Sequence, residues 1–172
     1  KFLIYKDDRS GPQTLYKVDL ASLVQLKGKE FLGTRMFTKS YTVSDFMLTD
    51  SRTLLYLANR ETPLRFDLYS YDLITGALKT VMTNASYNPA IKKSGDLVFV
   101  NQLVSWGSQV MAYNPKTGAL RAMPAPVGTF ATLKAGTDIA LPGGVHGALL
   151  LPDNFTAKSP HKLVIWLHGG PF

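Results

Sequence analysis

A fixed repeat constrains this chain more than any other feature. Thr53-Leu54-Leu55-Tyr56-Leu57 is answered 43 positions later by Asp96-Leu97-Val98-Phe99-Val100. Thr75-Gly76-Ala77-Leu78 returns 42 positions later as Thr117-Gly118-Ala119-Leu120, and between them Leu68-Tyr69-Ser70-Tyr71-Asp72 answers Val110-Met111-Ala112-Tyr113-Asn114. A weaker copy opens the chain, with Phe2-Leu3-Ile4-Tyr5 followed by Thr14 to Leu20. The step from Leu3 to Leu54 is longer, which places extra residues somewhere in Lys27 to Thr42. Self-similarity at such a period means similar units that bury their apolar faces on one another.

The units read as strands. Their apolar positions come in short runs and alternations rich in Val, Ile, Tyr and Phe, separated by turn clusters, so helix is not expected within them. Asp72-Leu73-Ile74-Thr75-Gly76 and Asn114-Pro115-Lys116-Thr117-Gly118 put Asp or Asn first and Gly last. The first side chain can accept from the turning backbone, and the glycine takes the left-handed position of a bulged hairpin. Four strands follow for one unit: Phe46 to Thr49, Leu54 to Asn59, Arg65 to Leu73 and Ala77 to Met82. The next unit repeats the scheme from Asn88 to Met123. Four strands in about 42 residues is the period of a β-propeller blade. A β-sandwich would leave the paired Thr-Gly-Ala-Leu copies unexplained.

After Met123 the pattern stops. Pro124-Ala125-Pro126-Val127-Gly128 reads as a linker. Strand-like stretches follow at Thr129 to Lys134 and Val145 to Leu151, with Leu141-Pro142-Gly143-Gly144 as a turn between them. Asp153 to Pro160 reads as a polar loop. The five apolar residues Leu163-Val164-Ile165-Trp166-Leu167 then predict a strand buried on both faces. It halts at His168-Gly169-Gly170-Pro171, where two glycines permit close approach of a ligand and the proline ends the ladder.

A hydrophobic strand ending in His-Gly-Gly-Pro resembles the prolyl oligopeptidase family of serine peptidases. Gly147-Ala148-Leu149-Leu150-Leu151-Pro152 is similar to the family's strand ending in Leu-x-x-Pro. The His-Gly-Gly-Pro form looks more like the acylaminoacyl peptidase and dipeptidyl peptidase IV branches, and the repeats look like the degenerate blades of this family and of TolB-type propellers. The fold class expected is mainly β, with propeller blades followed by the first strands of an α/β-hydrolase domain. Residues 1–127 would be the C-terminal blades, and residues 128–172 the truncated start of the peptidase domain. The resemblance implies hydrolysis of short peptides by a Ser-His-Asp acyl-enzyme mechanism, with the propeller gating access. It also implies that Gly170 gives an oxyanion-hole N–H while His168, Gly169 and Pro171 shape the turn.

None of the serines lies in Gly-x-Ser-x-Gly, the strand-to-helix turn that presents a hydrolase nucleophile, so the resemblance places Ser, Asp and His downstream of Phe172. The absence of an initiator Met and the stop at the glycine turn read as a segment of a longer protein. His168 is not taken as the catalytic base, and His146 and His161 read as ordinary polar residues. Three histidines spaced 146, 161 and 168 make no zinc pattern, so no metal is expected. No cofactor is expected either. Asn84-Ala85-Ser86 and Asn154-Phe155-Thr156 fit the glycosylation sequon. Trp106 reads as packing under its own hairpin, lining the propeller's channel or facing the catalytic domain.

Composition removes other classes. Net charge is +7, from 19 Lys and Arg against 12 Asp and Glu, but the longest basic run is Lys92-Lys93. A nucleic-acid binder would gather that charge in one patch. Zero cysteines exclude disulfides and thiolate chemistry from this stretch, and no apolar run is long enough to span a bilayer. The expected partner is a peptide substrate. The cytoplasm and the periplasm both stay open, as do an esterase activity and a non-catalytic TolB-like binding module.

Overall fold

The computed structural model describes residues 1–9, 11–23, 33–85, 91–104, 107–124, 136–158 and 160–165. The protein is mainly β, built of antiparallel sheets. Strands β1 (Phe2–Asp7), β2 (Thr14–Asp19) and β3 (Thr34–Arg35) form a three-stranded sheet, with a single helical turn α1 (Leu20–Leu23) after β2. A four-stranded meander follows: β4 (Val43–Leu48), β5 (Thr53–Thr62), β6 (Arg65–Asp72) and β7 (Leu78–Ala85). A second meander holds β8 (Lys92–Ser94), β9 (Leu97–Val104), β10 (Gly107–Tyr113) and β11 (Leu120–Ala122). Among the described residues one backbone pairing, Ala85 with Gln102, joins the two meanders into an eight-stranded sheet.

The repeat predicted from sequence is therefore physical, two four-stranded units in order. The opening unit has three described strands, and the short β3 falls within the stretch where extra residues were expected. Strand β4 starts earlier than predicted and β5 and β7 run on past their predicted ends to Thr62 and Ala85, while β6 stops at Asp72, just short of the predicted Leu73. A bulge between Val43 and Asp45 lengthens β4, and β5 continues through a second irregularity to Thr62.

The turns explain why the copies align. Asp72 Oδ1 accepts from the N–H of Ile74 at 2.9 Å and of Thr75 at 3.0 Å. Asn114 Oδ1 accepts from Lys116 at 2.9 Å and Thr117 at 3.3 Å. In each turn the glycine N–H returns to the first residue's carbonyl, Gly76 to Asp72 and Gly118 to Asn114. Both glycines sit at φ 74°, a region that costs a residue with a Cβ.

Packing follows the pleat. Successive side chains of a strand point to opposite faces, and β5 has a buried cluster on each. Leu54, Tyr56 and Ala58 join Ile4, Leu15, Phe37, Tyr41, Val43 and Tyr69 toward the first sheet. Leu55 and Leu57 join Leu68, Met82, Ile91, Val98, Val100 and Tyr113 toward the second meander. All five residues Leu54 to Ala58 are 0% exposed. The middle meander is thus sandwiched as a blade between neighbours. A side chain also clips the seam: Asp45 Oδ2 accepts from the Ile91 N–H at 2.8 Å.

Beyond residue 136 the structure thins. Among the described residues strands β12 (Thr137–Leu141) and β13 (Val145–Leu149) pair only with each other, across Pro142-Gly143-Gly144 with both glycines at positive φ. The predicted turn and the Val145 strand are present, and Thr137–Leu141 is a strand the sequence reading passed over. Thr129 to Lys134 lies outside the described residues.

The expected central strand is corrected in part. Leu163, Val164 and Ile165 belong to no strand and are 75%, 85% and 73% exposed. A strand buried on both faces needs ladder partners on its edges and layers on its faces, and among the described residues none stands beside this run. Among the described residues no α/β-hydrolase sheet is formed.

Candidate functional site

The residues singled out from sequence divide sharply. His168, Gly169, Gly170 and Pro171 lie outside the described residues, as do Trp106, Trp166 and Leu167. His146 is exposed on β13. His161 Nε2 lies 2.9 Å from the Thr156 carbonyl oxygen, with its ring 4.8 Å from that of Phe155. That is the ordinary polar role read for it. Asn84, at φ 66°, spends its side-chain amide on the Leu103 carbonyl at 3.0 Å. No group of three or more His, Asp or Glu among the described residues is placed to hold a metal.

What the fold does assemble is a polar cluster at the far end of β5. The Thr42 N–H donates to Asn59 Oδ1 at 2.7 Å, and the Asn59 N–H donates to the Thr42 carbonyl at 3.1 Å. This reciprocal pair extends the β4–β5 ladder past Val43 and sets Tyr41 beside Arg60. Tyr41 also packs on Phe37, ring centroids 5.7 Å apart. Phe37 stacks on Tyr56 at 4.9 Å, and Tyr56 stacks on Tyr69 at 5.3 Å. Each such aromatic pair is worth about 0.5–1.5 kcal/mol beyond its buried area.

The polar tips of this aromatic stack are treated unequally. The Tyr69 hydroxyl donates to Asp67 Oδ2 at 3.3 Å. Asp67, 1% exposed, also receives Arg65 Nε at 2.9 Å and Nη2 at 3.1 Å, and the Asn84 N–H at 2.8 Å. A buried carboxylate is tolerated when paired and bonded in this way. By contrast the hydroxyls of Tyr41 and Tyr56 and the side chain of Arg60 are buried close to one another and interact electrostatically, but the two hydroxyls and Arg60 Nε make no hydrogen bond of good geometry. Arg60 Nε is 3.4 Å from Glu61 Oε1, an ion pair that lacks hydrogen-bond geometry. Leaving such an atom unsatisfied costs about 1–3 kcal/mol. Burial pushes the Tyr41 and Tyr56 hydroxyls above the ordinary phenol range, which keeps them protonated donors.

Two clefts flank the Tyr41–Arg60 pair. One, of about 220 Å³, is lined by Met36, Phe37, Thr38, Lys39, Tyr41 and Arg60. The other, of about 300 Å³, runs past Ser40, Thr42, Asn59, Glu61 and Thr62 to Pro63. A third, of about 340 Å³, lies between the first sheet and the middle meander, with Lys17, Asp19, Arg35 and Tyr71 on its walls. The sequence reading missed the Tyr41–Arg60 site. Its only signal is the register that pairs Val43 with Ala58.

No protein-family model and no curated protein matches the chain. Solved structures do. Porphyromonas gingivalis dipeptidyl peptidase 4 aligns over 84% of this chain and 21% of its own, with TM-score 0.55 and 16% identity. A protein assigned as TolB in Agrobacterium tumefaciens aligns over 80% of this chain and 44% of its own, with TM-score 0.50 and 13% identity. The fold is propeller-like. The chain thus spans about a fifth of the first of these structures and under half of the second, and both likenesses concern the fold.

Proposed function

We propose that residues 1–127 are closing blades of a propeller and that residues 128–172 open the α/β-hydrolase domain of a serine peptidase of the prolyl oligopeptidase type. The observation that carries this reading is the order of parts. Two propeller-type meanders precede a segment ending in an apolar run and His168-Gly169-Gly170-Pro171. The likeness to a dipeptidyl peptidase over most of the chain supports the same arrangement.

In this reading the nucleophilic serine, histidine and aspartate are supplied from outside these residues. The serine oxygen attacks the peptide carbonyl as the histidine takes its proton, and the carbonyl oxygen becomes an oxyanion. The Gly170 N–H donates to that oxyanion, the histidine returns the proton to the leaving amine, and water then hydrolyses the ester. The blades restrict entry to short peptides. No cofactor takes part.

The intact protein is therefore expected to be labelled by a fluorophosphonate probe. A folded Gly170→Val variant should lose peptidase turnover by about 10²–10³, the usual cost of one oxyanion donor. Near-normal turnover in that variant would reduce the turn to scaffolding. A second reading, a non-catalytic TolB-like binding module, is favoured by the likeness to the Agrobacterium protein. It predicts no labelling at all.

A further inference from the structure

The opening sheet matches the other two units strand for strand, but among the described residues it is one strand short. Phe2 pairs with Asp19 on β2 as Thr53 pairs with Asp72 on β6. The Lys1 carbonyl accepts from the Leu20 N–H at 2.9 Å, just as the Arg52 carbonyl accepts from Leu73 at 2.8 Å. Asp19 Oδ1 takes the Ala21 N–H at 2.9 Å, as Asp72 Oδ1 takes that of Ile74. Strand β1 is therefore the counterpart of β5. Lys1 stands at the place of Arg52, the last turn residue before the strand.

In the other units that strand is paired on both edges. β4 lies on the far edge of β5, pairing Leu48 with Leu54, and β8 lies on that of β9, pairing Ser94 with Leu97. Among the described residues β1 pairs only with β2. The backbone groups of a strand alternate between its two edges. The Lys1 carbonyl faces β2, so Leu3 and Tyr5 face β2 as well, and Phe2, Ile4 and Lys6 face away. Their counterparts Thr53, Leu55 and Leu57 face β4, where the Thr53 carbonyl accepts from the Thr49 N–H at 3.0 Å. A row of unpaired N–H and C=O groups is a template for another strand. Exposure agrees: Leu3 is 44% exposed, whereas its counterpart Leu54 is fully buried.

We infer that the open edge of β1 is a docking site for an antiparallel strand, and that its occupant is the stretch of the same polypeptide leading into Lys1. Connection length favours this source. Four residues, Thr49 to Arg52, join β4 to β5, and two, Gly95 and Asp96, join β8 to β9. Lys1 already holds the closing position of such a turn, so a strand arriving through it closes a loop of a few residues at small entropic cost. A second copy would lose translational freedom that a tethered strand does not. β8 has three residues and β4 six, which brackets the length expected. The inference rests on the blade reading of residues 1–127 and needs nothing from the peptidase chemistry.

Site-resolved amide exchange in the intact protein, with the residues that lead into Lys1, tests it. The Ile4 and Lys6 amides should be protected like those of Leu55 and Leu57, about a hundredfold or more beyond an unpaired edge, and dilution should not change this. Deleting the residues before Lys1 should expose Ile4 and Lys6 and leave Leu55 and Leu57 protected. Lys6→Pro, which removes one outward N–H, should weaken the protection of Ile4, and Lys6→Ala should keep it. Both variants lose the bond from Lys6 Nζ to the Ser44 carbonyl, so their difference reports the backbone, and the pair decides the matter if the shortened protein does not fold. Free exchange at Ile4 and Lys6 beside protected Leu55 and Leu57 would overturn the inference while the blades stand. Protection that survives the deletion, fades on dilution or ignores Lys6→Pro would overturn the stated occupant. Unprotected Leu55 and Leu57 in the unaltered protein would bring down the blade reading and this inference with it. A lack of fluorophosphonate labelling beside a protected Ile4 would strike the peptidase proposal and leave the docked strand in place.

Discussion

Two apolar runs of the same length meet opposite fates in this molecule. Leu54 to Ala58 is wholly buried, while the described part of the Leu163–Leu167 run, Leu163 to Ile165, is about three-quarters exposed or more. Hydrophobicity does not separate them, and neither does the preference of Leu, Val and Ile for extended backbone. What separates them is company. The first run has β4 and β6 on its edges and a packed cluster on each face. The second has no strand beside it among the described residues. A run of apolar residues states a demand for burial, and the surrounding chain decides whether the demand is met.

Truncation of one residue in each run is the most forceful test of that contrast. In the 172-residue chain, Leu57→Ala should lower unfolding free energy in urea by about 2–5 kcal/mol, the range for large-to-small changes in a core. Val164→Ala should stay within about 0.5 kcal/mol, as exposed substitutions do. A cost above about 1 kcal/mol at Val164 would break the comparison. In the intact protein the proposed hydrolase sheet would raise the Val164 cost toward that of Leu57.

A smaller effect sharpens the contrast through the turns. Gly76 and Gly118 share φ 74° in the meanders, and Gly143 has φ 81° in the β12–β13 hairpin. Alanine at any of these meets left-handed backbone that costs about 1 kcal/mol. Gly76→Ala and Gly118→Ala should reduce global stability by about that much. Gly143→Ala should leave the cooperative transition unmoved, because among the described residues the hairpin pairs only with itself. An equal shift from all three would mean that the hairpin melts with the blades.

The smallest effect separates the two meanders from each other. Arg52, with Nε 2.6 Å from Asp72 Oδ2, holds the Asp72 carboxyl well below the usual carboxylate range, helped by the amides of Thr75 and Ile74. A depressed folded-state pKa gives stability that is present above the unfolded value near pH 4 and is lost as pH falls toward the folded one. The corresponding Asn114 has no proton to gain. Asp72→Asn should keep the turn, cost little at neutral pH, and flatten the decline of stability below about pH 4. An unchanged acid limb in urea melts taken at a series of pH values would place the acid sensitivity elsewhere.

The blades were legible because their information is local. Asp72 and Asn114 do their work within four residues, so the same spacing yields the same turn, and the strands between must align. Bulges were not legible, since the shift between Val43 and Asp45 depends on the partner strand rather than on the residues themselves. The Tyr41–Arg60 site was hidden for a related reason. Nineteen positions separate those residues, and the β4–β5 register, extended by the reciprocal bonds between Thr42 and Asn59, makes them neighbours. The terminal run was misread in its described part because its pattern reports a need for neighbours and says nothing of where they are. Gly170 falls outside the described residues, and its role stays a proposal.

Among the described residues a single backbone pairing, Ala85 with Gln102, links the two meanders, and this has a consequence for how such a chain changes over generations. Each meander completes its own hydrogen-bond ladder and meets its neighbours mainly through side chains. A duplicated stretch of DNA that adds or drops one unit would leave those ladders almost intact and ask only that two greasy faces be made to fit. Growth by copying is then tolerated more readily than in a continuous sheet, where every inserted strand must first part an existing pair.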